Sequence, residues 1–419
     1  MSTPGASDRT AGTSAPSGFR RSDGQPLFLG GASLRDVSVL RTFQEDGGLH
    51  HIALNGAAPG WLVTDYDTAA RVLTDPRMRG ECPGSPSLSM AAFDALTDDQ
   101  VMDEQQLFYL GADEHTQLRH ILAKSLGPRR IAKLTERVQP IADVLLDALP
   151  TDTAVDLGAA FARPYPVAAL CALLGVPEDG HHRIHDLVFE GYPGLPVPEA
   201  GGDDPDLSVA DYLAGLIERR RLDPGDDLIS DLCRDEGTDV AHSAVLAAAR
   251  LLIVVGPRPV AHLLTDGLAL LLRERGHWED LVAEPELLDR VVEELLRYVS
   301  PASVAFRYAR EEVEIGGAVL PAGSRAYCSV TSANRDPGRF PDPDRFDPRR
   351  PAGQHVAFGL GFRHCLGAGL VRAEVRTALA TLVRRFPRMR LANPEESHAG
   401  SGTGARPGRG LVVVLDPSR

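Results

Sequence analysis

Cysteine is scarce in this chain. Its 419 residues hold five, Cys82, Cys171, Cys233, Cys328 and Cys365, scattered, odd in number and without a CxxC spacing. Such a set excludes a disulfide framework and a structural zinc site, and it fits a reducing cytoplasm. Positive charge is also short: the formal net charge is −14, which argues against nucleic acid and anionic membranes as general partners, since both select basic patches. No uninterrupted apolar run reaches the roughly 20 residues of a spanning helix. Residues 1–25 lack the apolar stretch of a secretory signal. They are rich in Ser, Thr, Gly and Arg and read as a disordered lead-in to a single domain over 26–419. Internal repeats are missing too, which excludes solenoids and propellers.

What is present is an ordinary globular composition, 43% hydrophobic and 24% charged, enough for a sizeable core. Helical spacing predicts helices over 66–74, 115–126, 130–149, 163–174, 207–221, 226–234, 241–276, 286–299 and 366–386. Strand-like runs occur at 51–54, 61–63 and 411–414, and short strands fill 304–330 around turns at Gly316-Gly317 and Pro321-Ala322-Gly323. The stretch 186–206 is rich in Gly, Pro and acids and reads as a loop. Helix dominates, and no composition break suggests a second core. The expected fold is mainly α with small β-sheets in one large domain.

The segment Phe358-Gly359-Leu360-Gly361-Phe362-Arg363-His364-Cys365-Leu366-Gly367-Ala368 is the most informative in the chain. Cys365 stands directly before a helical pattern, where free N–H donors and partial positive charge favour a thiolate. The glycines permit tight turns and close approach to a flat ligand, and Phe358 can shield the sulfur. A lone cysteine in a Gly-rich turn is ordinarily structural. The whole string, however, resembles without a gap the haem-binding loop FGxGxRxCLG of the cytochrome P-450 superfamily, specifically its bacterial ferredoxin-dependent members. The resemblance implies that Cys365 is the axial thiolate of a haem b iron, with Phe358 and Gly367 against the cofactor, and that the fold is that of the family. A thiolate ligand pushes electron density onto the iron and favours O–O cleavage.

The resemblance spans roughly residues 50–415. Glu294-Leu295-Leu296-Arg297 is similar to the family's ExxR element; the pair lies on one helix face, and the family joins it to an arginine of the following coil. Arg345, in Asp344-Arg345-Phe346, is the expected third member. His115 and Arg119 resemble an HxxxR pair that reaches the haem propionates, where cationic donors bind carboxylates strongly. Arg307, His355 and Arg363 match three further propionate positions. Each alone would be read as an ordinary surface base; together with the cysteine loop they point to haem.

The chain departs from its family at the centre of 241–276. There the family reads Ala-Gly-x-Glu/Asp-Thr, whose acid and alcohol organise water and deliver protons during dioxygen activation. This chain reads Val255-Gly256-Pro257-Arg258-Pro259. Arg258 stands at the acid position and Pro259 at the alcohol position. Each proline inside a helix costs about 3 kcal/mol, so the helix is expected to kink or break at Gly256. A guanidinium facing an apolar pocket needs an anionic partner. Arg258 therefore either turns away to a structural partner, or reaches over the haem to hold a substrate carboxylate. An Arg-Pro pair here resembles the peroxide-using fatty-acid branch of the superfamily, over two residues only.

Three functional readings follow. The first is a monooxygenase-type oxidoreductase acting on a small organic substrate of bacterial secondary metabolism. It would be fed by a ferredoxin and its NAD(P)H reductase docking on a basic patch of Arg119, Lys124, Arg129 and Arg130, with protons from ordered water or the substrate. The second is peroxide-driven or redox-neutral haem chemistry (rearrangement, dehydration, nitrene-type transfer) on an anionic or pre-activated substrate, with Gly256, Arg258 and Pro259 as its catalytic region. The third is a non-catalytic partner of a glycosyltransferase; family-like proteins of that kind lose the cysteine loop, which is intact here. By the same resemblance, segments 80–110 and 186–206 and residues 302–306 cap the substrate pocket.

Overall fold

Prolines and glycines divide the apolar stripes of this chain into short helices, and the structure, a computed structural model, follows those divisions. It describes residues 27–29, 36–54, 59–80, 112–151, 153–189, 208–234, 242–351, 353–394 and 410–416. The expected lead-in over 1–25 lies outside the described residues, as do nearly all of 80–110 and most of 186–206.

The described helices are α1 (Val37–Glu45), α2 (Tyr66–Thr74), α3 (Ala112–Ser125), α4 (Pro128–Asp147), α5 (Pro164–Leu174), α6 (His181–Phe189), α7 (Val209–Leu222), α8 (Leu228–Cys233), α9 (His242–Val255), α10 (Pro257–Arg273), α11 (Arg275–Ala283), α12 (Leu288–Val299), α13 (Val330–Ala333) and α14 (Ala368–Arg385). Their starts carry the expected signals. Asp65 caps α2 by accepting the Thr68 N–H at 2.7 Å, and Asp36 caps α1 through Ser38 N at 2.9 Å. Gly175 ends α5 in the left-handed region, with φ 77°.

A six-stranded mixed sheet has the order β1-β2-β3-β9-β6-β4, from β1 (Leu27–Leu29), β2 (Leu49–Leu54), β3 (Gly60–Val63), β9 (Arg325–Ser329), β6 (Val304–Ala309) and β4 (Met78–Arg79). A three-stranded sheet joins β10 (Arg390–Leu391), β11 (Val412–Val414) and β5 (Ala154–Asp156), all antiparallel. The hairpin β7 (Val313–Ile315) and β8 (Ala318–Leu320) turns on Gly316 and Gly317, both at positive φ, as their sequence predicts. The architecture is thus mainly α with small sheets.

Two sequence expectations change. Residues 186–189 are helical, the last turns of α6, where a loop was expected; His181 to Phe189 is too short and too mixed for periodicity to show it. The expected single helix over 241–276 is instead α9 and α10, broken at Gly256, with α11 starting anew at Arg275. Residues 242–273 have the length and apolar character of a membrane-crossing segment. Val245, Leu263, Leu264, Leu268 and Leu271 are nevertheless fully buried among the other helices, so this is a core helix pair. Around it α14 packs on α4, α12 and α10, and that packing fixes the loop leading into α14.

Candidate functional site: a cysteine loop and a broken helix

The cysteine loop is wound by its glycines. Gly359 and Gly361 take φ values of 66° and 71°, open to glycine at no steric cost. A Cβ on Gly361 would stand 2.7 Å from the Leu73 carbonyl at the end of α2, so the loop also needs the missing side chain. Hydrogen bonds from Cys365 N to the Phe358 carbonyl (2.9 Å) and from His364 N to the Gly361 carbonyl (3.0 Å) close the turn. Cys365 then stands three residues ahead of α14, with the Cα-hydrogen side of Gly367 against its sulfur: an added Cβ there would lie 3.8 Å from Sγ.

Burial pushes the Cys365 thiol up, and the Gly367 N–H, Arg119 and Arg372 pull it back only in part. Yet the side chain is exposed. The two observations agree if the sulfur borders an internal cleft. Against the sequence expectation, the helix N-terminus does not by itself secure a thiolate; burial outweighs it, and a cation at the sulfur is what would hold the charge. Among the described residues, no three His, Cys, Asp or Glu side chains gather as a metal-ligand set.

Three guanidinium groups converge beside the loop. The Cζ atoms of Arg79 and Arg307 lie 5.3 and 5.7 Å from the Phe362 ring centre, and a Cβ on Gly80 would fall on the Arg363 guanidinium. The Arg79 Nε is buried without a hydrogen-bond partner. Three clustered guanidinia suit a pair of carboxylates. With a cysteine that is exposed yet set among burying groups, and glycines where backbone must approach closely, this donor set fits a haem and its two propionates. Arg79 was not foreseen from the sequence. Only the pairing of β4 with β6, Arg79 opposite Tyr308, brings it to the site across more than 200 residues.

Of the other expected haem contacts, His115 and Arg119 sit one turn apart on α3, and the Arg119 charge is felt at Cys365. His355 stands beside α12. Its Nε2 lies 3.2 Å from a Glu293 carboxylate oxygen and its Nδ1 accepts the Ala357 N–H at 3.2 Å. Nε2 thus faces α12, and Nδ1 is engaged by a backbone N–H of its own loop.

The buried pair Glu294–Arg297 is as expected, with both prongs at 2.7 and 2.8 Å. Arg297 also donates to the carbonyls of Asn334, Pro343 and Arg345. The third side chain is a correction. Arg345 is exposed and contributes its carbonyl; the guanidinium that approaches Glu294 is that of Arg350, at 3.4 Å. The coil makes a turn between the two, closed by Arg350 N to the Asp347 carbonyl, and this carries the later arginine inward. Asp347 N donates to the same carboxylate at 2.9 Å, so the buried ion pair is well satisfied.

Between α9 and α10 the helix breaks where the prolines require. Gly256 N still donates to the Leu252 carbonyl at 2.9 Å, and α10 restarts at Pro257. Pro257 and Pro259 thereby fall in the first turn of α10, where N–H groups have no intrahelical acceptor and proline is tolerated. The interior-proline penalty is largely avoided. A Cβ at Gly256 would meet the Leu252 carbonyl at 2.6 Å, so glycine is needed at the break. Arg258, half-buried, donates from Nε to the Val188 carbonyl at 2.6 Å in the last turn of α6. The next proton-bearing pair along α10 is His262 Nε2 with Asp266, 2.9 Å apart, which the sequence reading did not single out. In the basic patch, Arg130 is engaged by Asp226 and Asp231, while Arg129 is exposed.

Comparison with known proteins gives one answer. A family model described as Cytochrome P450 matches residues 270–404. Pentalenic acid synthase of Streptomyces avermitilis is 35% identical over 360 residues, 84% of this chain and 87% of that protein. The mycinamicin IV hydroxylase/epoxidase of Micromonospora griseorubida is 37% identical over 347 residues, 80% of this chain and 84% of that protein. Among solved structures, the tirandamycin C-bound P450 monooxygenase TamI superposes with a TM-score of 0.75 at 33% identity, covering 93% of this chain and all of that one.

Proposed function

The chain belongs to the cytochrome P450 family, and from that premise we propose that it is a haem-thiolate oxidoreductase in which Cys365 ligates the iron of haem b and a small secondary metabolite is oxidised beneath the break at Gly256. When bound, the haem supplies the redox chemistry. The protein's part follows from its own residues. Gly367 N–H and the charges of Arg119 and Arg372 moderate the sulfur, and Arg79, Arg307 and Arg363 hold the propionates. Glu294, Arg297 and Arg350 brace the coil that carries the loop. The observation that carries the reading is the Cys365 loop itself: an exposed sulfur inside a buried setting, wound on two positive-φ glycines. The catalytic domain is taken to begin near residue 26, the location to be the cytoplasm, and the electron donor to be a ferredoxin with its NAD(P)H reductase.

Proton handling sets this chain apart from its family's pattern. With Arg258 and Pro259 at the acid and alcohol positions, protons come from ordered water or from the substrate. A second reading rests on the same residues: peroxide-driven or redox-neutral chemistry does not need the missing relay. The tie of Arg258 Nε to Val188 favours a structural part for this arginine over a substrate-carboxylate clamp.

The carbon monoxide difference spectrum of the reduced protein tests the ligand. The strongly red-shifted band of a thiolate-bound haem is expected in wild type and absent in Cys365→Ala; the same band in both would overturn the assignment. Steady-state turnover with ferredoxin and dioxygen, compared with peroxide alone, separates the two oxidant readings. Titration of candidate acids into wild type and Arg258→Ala tests the clamp, and a selective loss of affinity in the variant would restore it.

A further inference from the structure

Glu293 and Arg372 form a two-pronged ion pair at the edge of the cysteine loop. Arg372 Nε donates to one carboxylate oxygen at 2.6 Å and Nη2 to the other at 3.0 Å. The two residues come from different helices, α12 and α14. His355 approaches the same carboxylate through Nε2, and because its Nδ1 accepts the Ala357 N–H, Nε2 is the nitrogen that carries the proton. Burial would raise the Glu293 carboxyl, but His355 and Arg372 hold it down to about 2. It is therefore ionised at neutral pH.

The clamp orients the guanidinium. Arg372 lies over the Phe358 ring with Cζ 4.6 Å from the ring centre, a cation–π distance. The Phe358 carbonyl in turn accepts the Cys365 N–H at 2.9 Å, and the Arg372 charge reaches the Cys365 sulfur. The neighbouring acid, Glu294, is committed to bracing Arg297 and the coil. Adjacent carboxylates on one helix thus serve different structures.

We propose that Glu293 and Arg372 are positioning residues that set the electrostatics of the Cys365 ligand: Glu293 fixes the Arg372 guanidinium over Phe358, and the fixed positive charge raises the reduction potential of the haem. The inference rests on the haem-thiolate reading above. Reduction adds an electron to the iron–thiolate unit, so a nearby cation favours the reduced state and a nearby anion opposes it. Both side chains are about two-fifths exposed, and solvent screening makes the effect moderate.

Reductive titration of the purified holoproteins tests this. Arg372→Gln should shift the midpoint potential down. Glu293→Gln keeps an acceptor for the guanidinium while removing the opposing charge, and should shift it up. The double variant should return toward wild type, and Arg372→Lys should lie closer to wild type than Arg372→Gln. A merely structural pair would move both single variants the same way or leave the potential unmoved, and either result overturns the inference. If Arg372→Gln fails to hold haem, Glu293→Gln still decides: an upward shift supports the inference, and no shift or a downward one overturns it. The carbon monoxide spectrum of the same wild-type preparation keeps the two levels apart. A missing thiolate band sinks the haem-thiolate reading, whereas a normal band with unmoved potentials sinks only the role of the pair.

Discussion

Arg258 Nε donates to the Val188 carbonyl at 2.6 Å, which ties the first turn of α10 to the last turn of α6. Carbonyls in the final turn of a helix have no intrahelical donor, and a cation there also meets the negative end of the helix dipole. Arg258 is therefore a cap on a neighbouring helix. The same break that places two prolines in a tolerated first turn also aims Arg258 at α6.

Removing that cap should loosen α6. Arg258→Ala is expected to lower global stability by about 1.5–3 kcal/mol, the range for a hydrogen bond to a charged group. It should also speed amide exchange over 181–189 more than elsewhere. Unchanged exchange in that segment would show that the tie is not needed to hold the helix.

The coil below the haem site offers a sharper contrast. Arg350→Ala removes the second guanidinium from Glu294 and should cost about 1–2 kcal/mol with partial loss of bound haem, since Glu294 stays buried with fewer partners. Arg345→Ala, exposed and joined through its backbone, should change stability by less than about 0.5 kcal/mol. Equal costs in urea denaturation would contradict the assignment of Arg350 as the third member.

The two loop glycines should also differ. At Gly359 an alanine meets only the strain of φ 66°, with the nearest contact 3.9 Å away, a cost of about 1 kcal/mol. At Gly361 the same strain is joined by the Leu73 carbonyl at 2.7 Å. Gly361→Ala should cost about 2–3 kcal/mol and release haem. Thermal unfolding and haem content of the two variants check the order, and the reverse order would refute the packing of this loop on α2.

Burial pushes the Glu374 carboxyl up to about 8 from 4.5; the Tyr165 hydroxyl donates to the Glu374 backbone carbonyl. The folded state therefore keeps this proton up to about pH 8, whereas the unfolded chain loses it above 4.5. The stabilising contribution is complete below the unfolded value and is lost as pH rises through the window to the folded one. Its slope is about 1.4 kcal/mol per pH unit. Glu374→Gln should flatten the fall in stability between about pH 5 and about pH 7.5. An unchanged slope in denaturant titrations at the two pH values would rule out Glu374 as its source.

Much of this was legible from the sequence because the signals are local. Periodicity marked the helices, glycine at positive φ wound the Cys365 loop, and Pro257 with Pro259 forced the break at Gly256, since a missing N–H and a fixed φ act within one turn. What the sequence did not decide are contacts between elements far apart in the chain. Arg79 reaches the arginine cluster through strand pairing with β6. Arg350 displaces Arg345 because a coil turn selects which of two arginines points inward. His355 turns to Glu293 because α12 happens to stand beside it. Arg258 could reach a pocket or a helix end, and only the packing of α6 against α10 chose. A residue's type states what it can bind, and local spacing states which face it takes. Which partner waits on that face is settled by burial and packing over the whole chain.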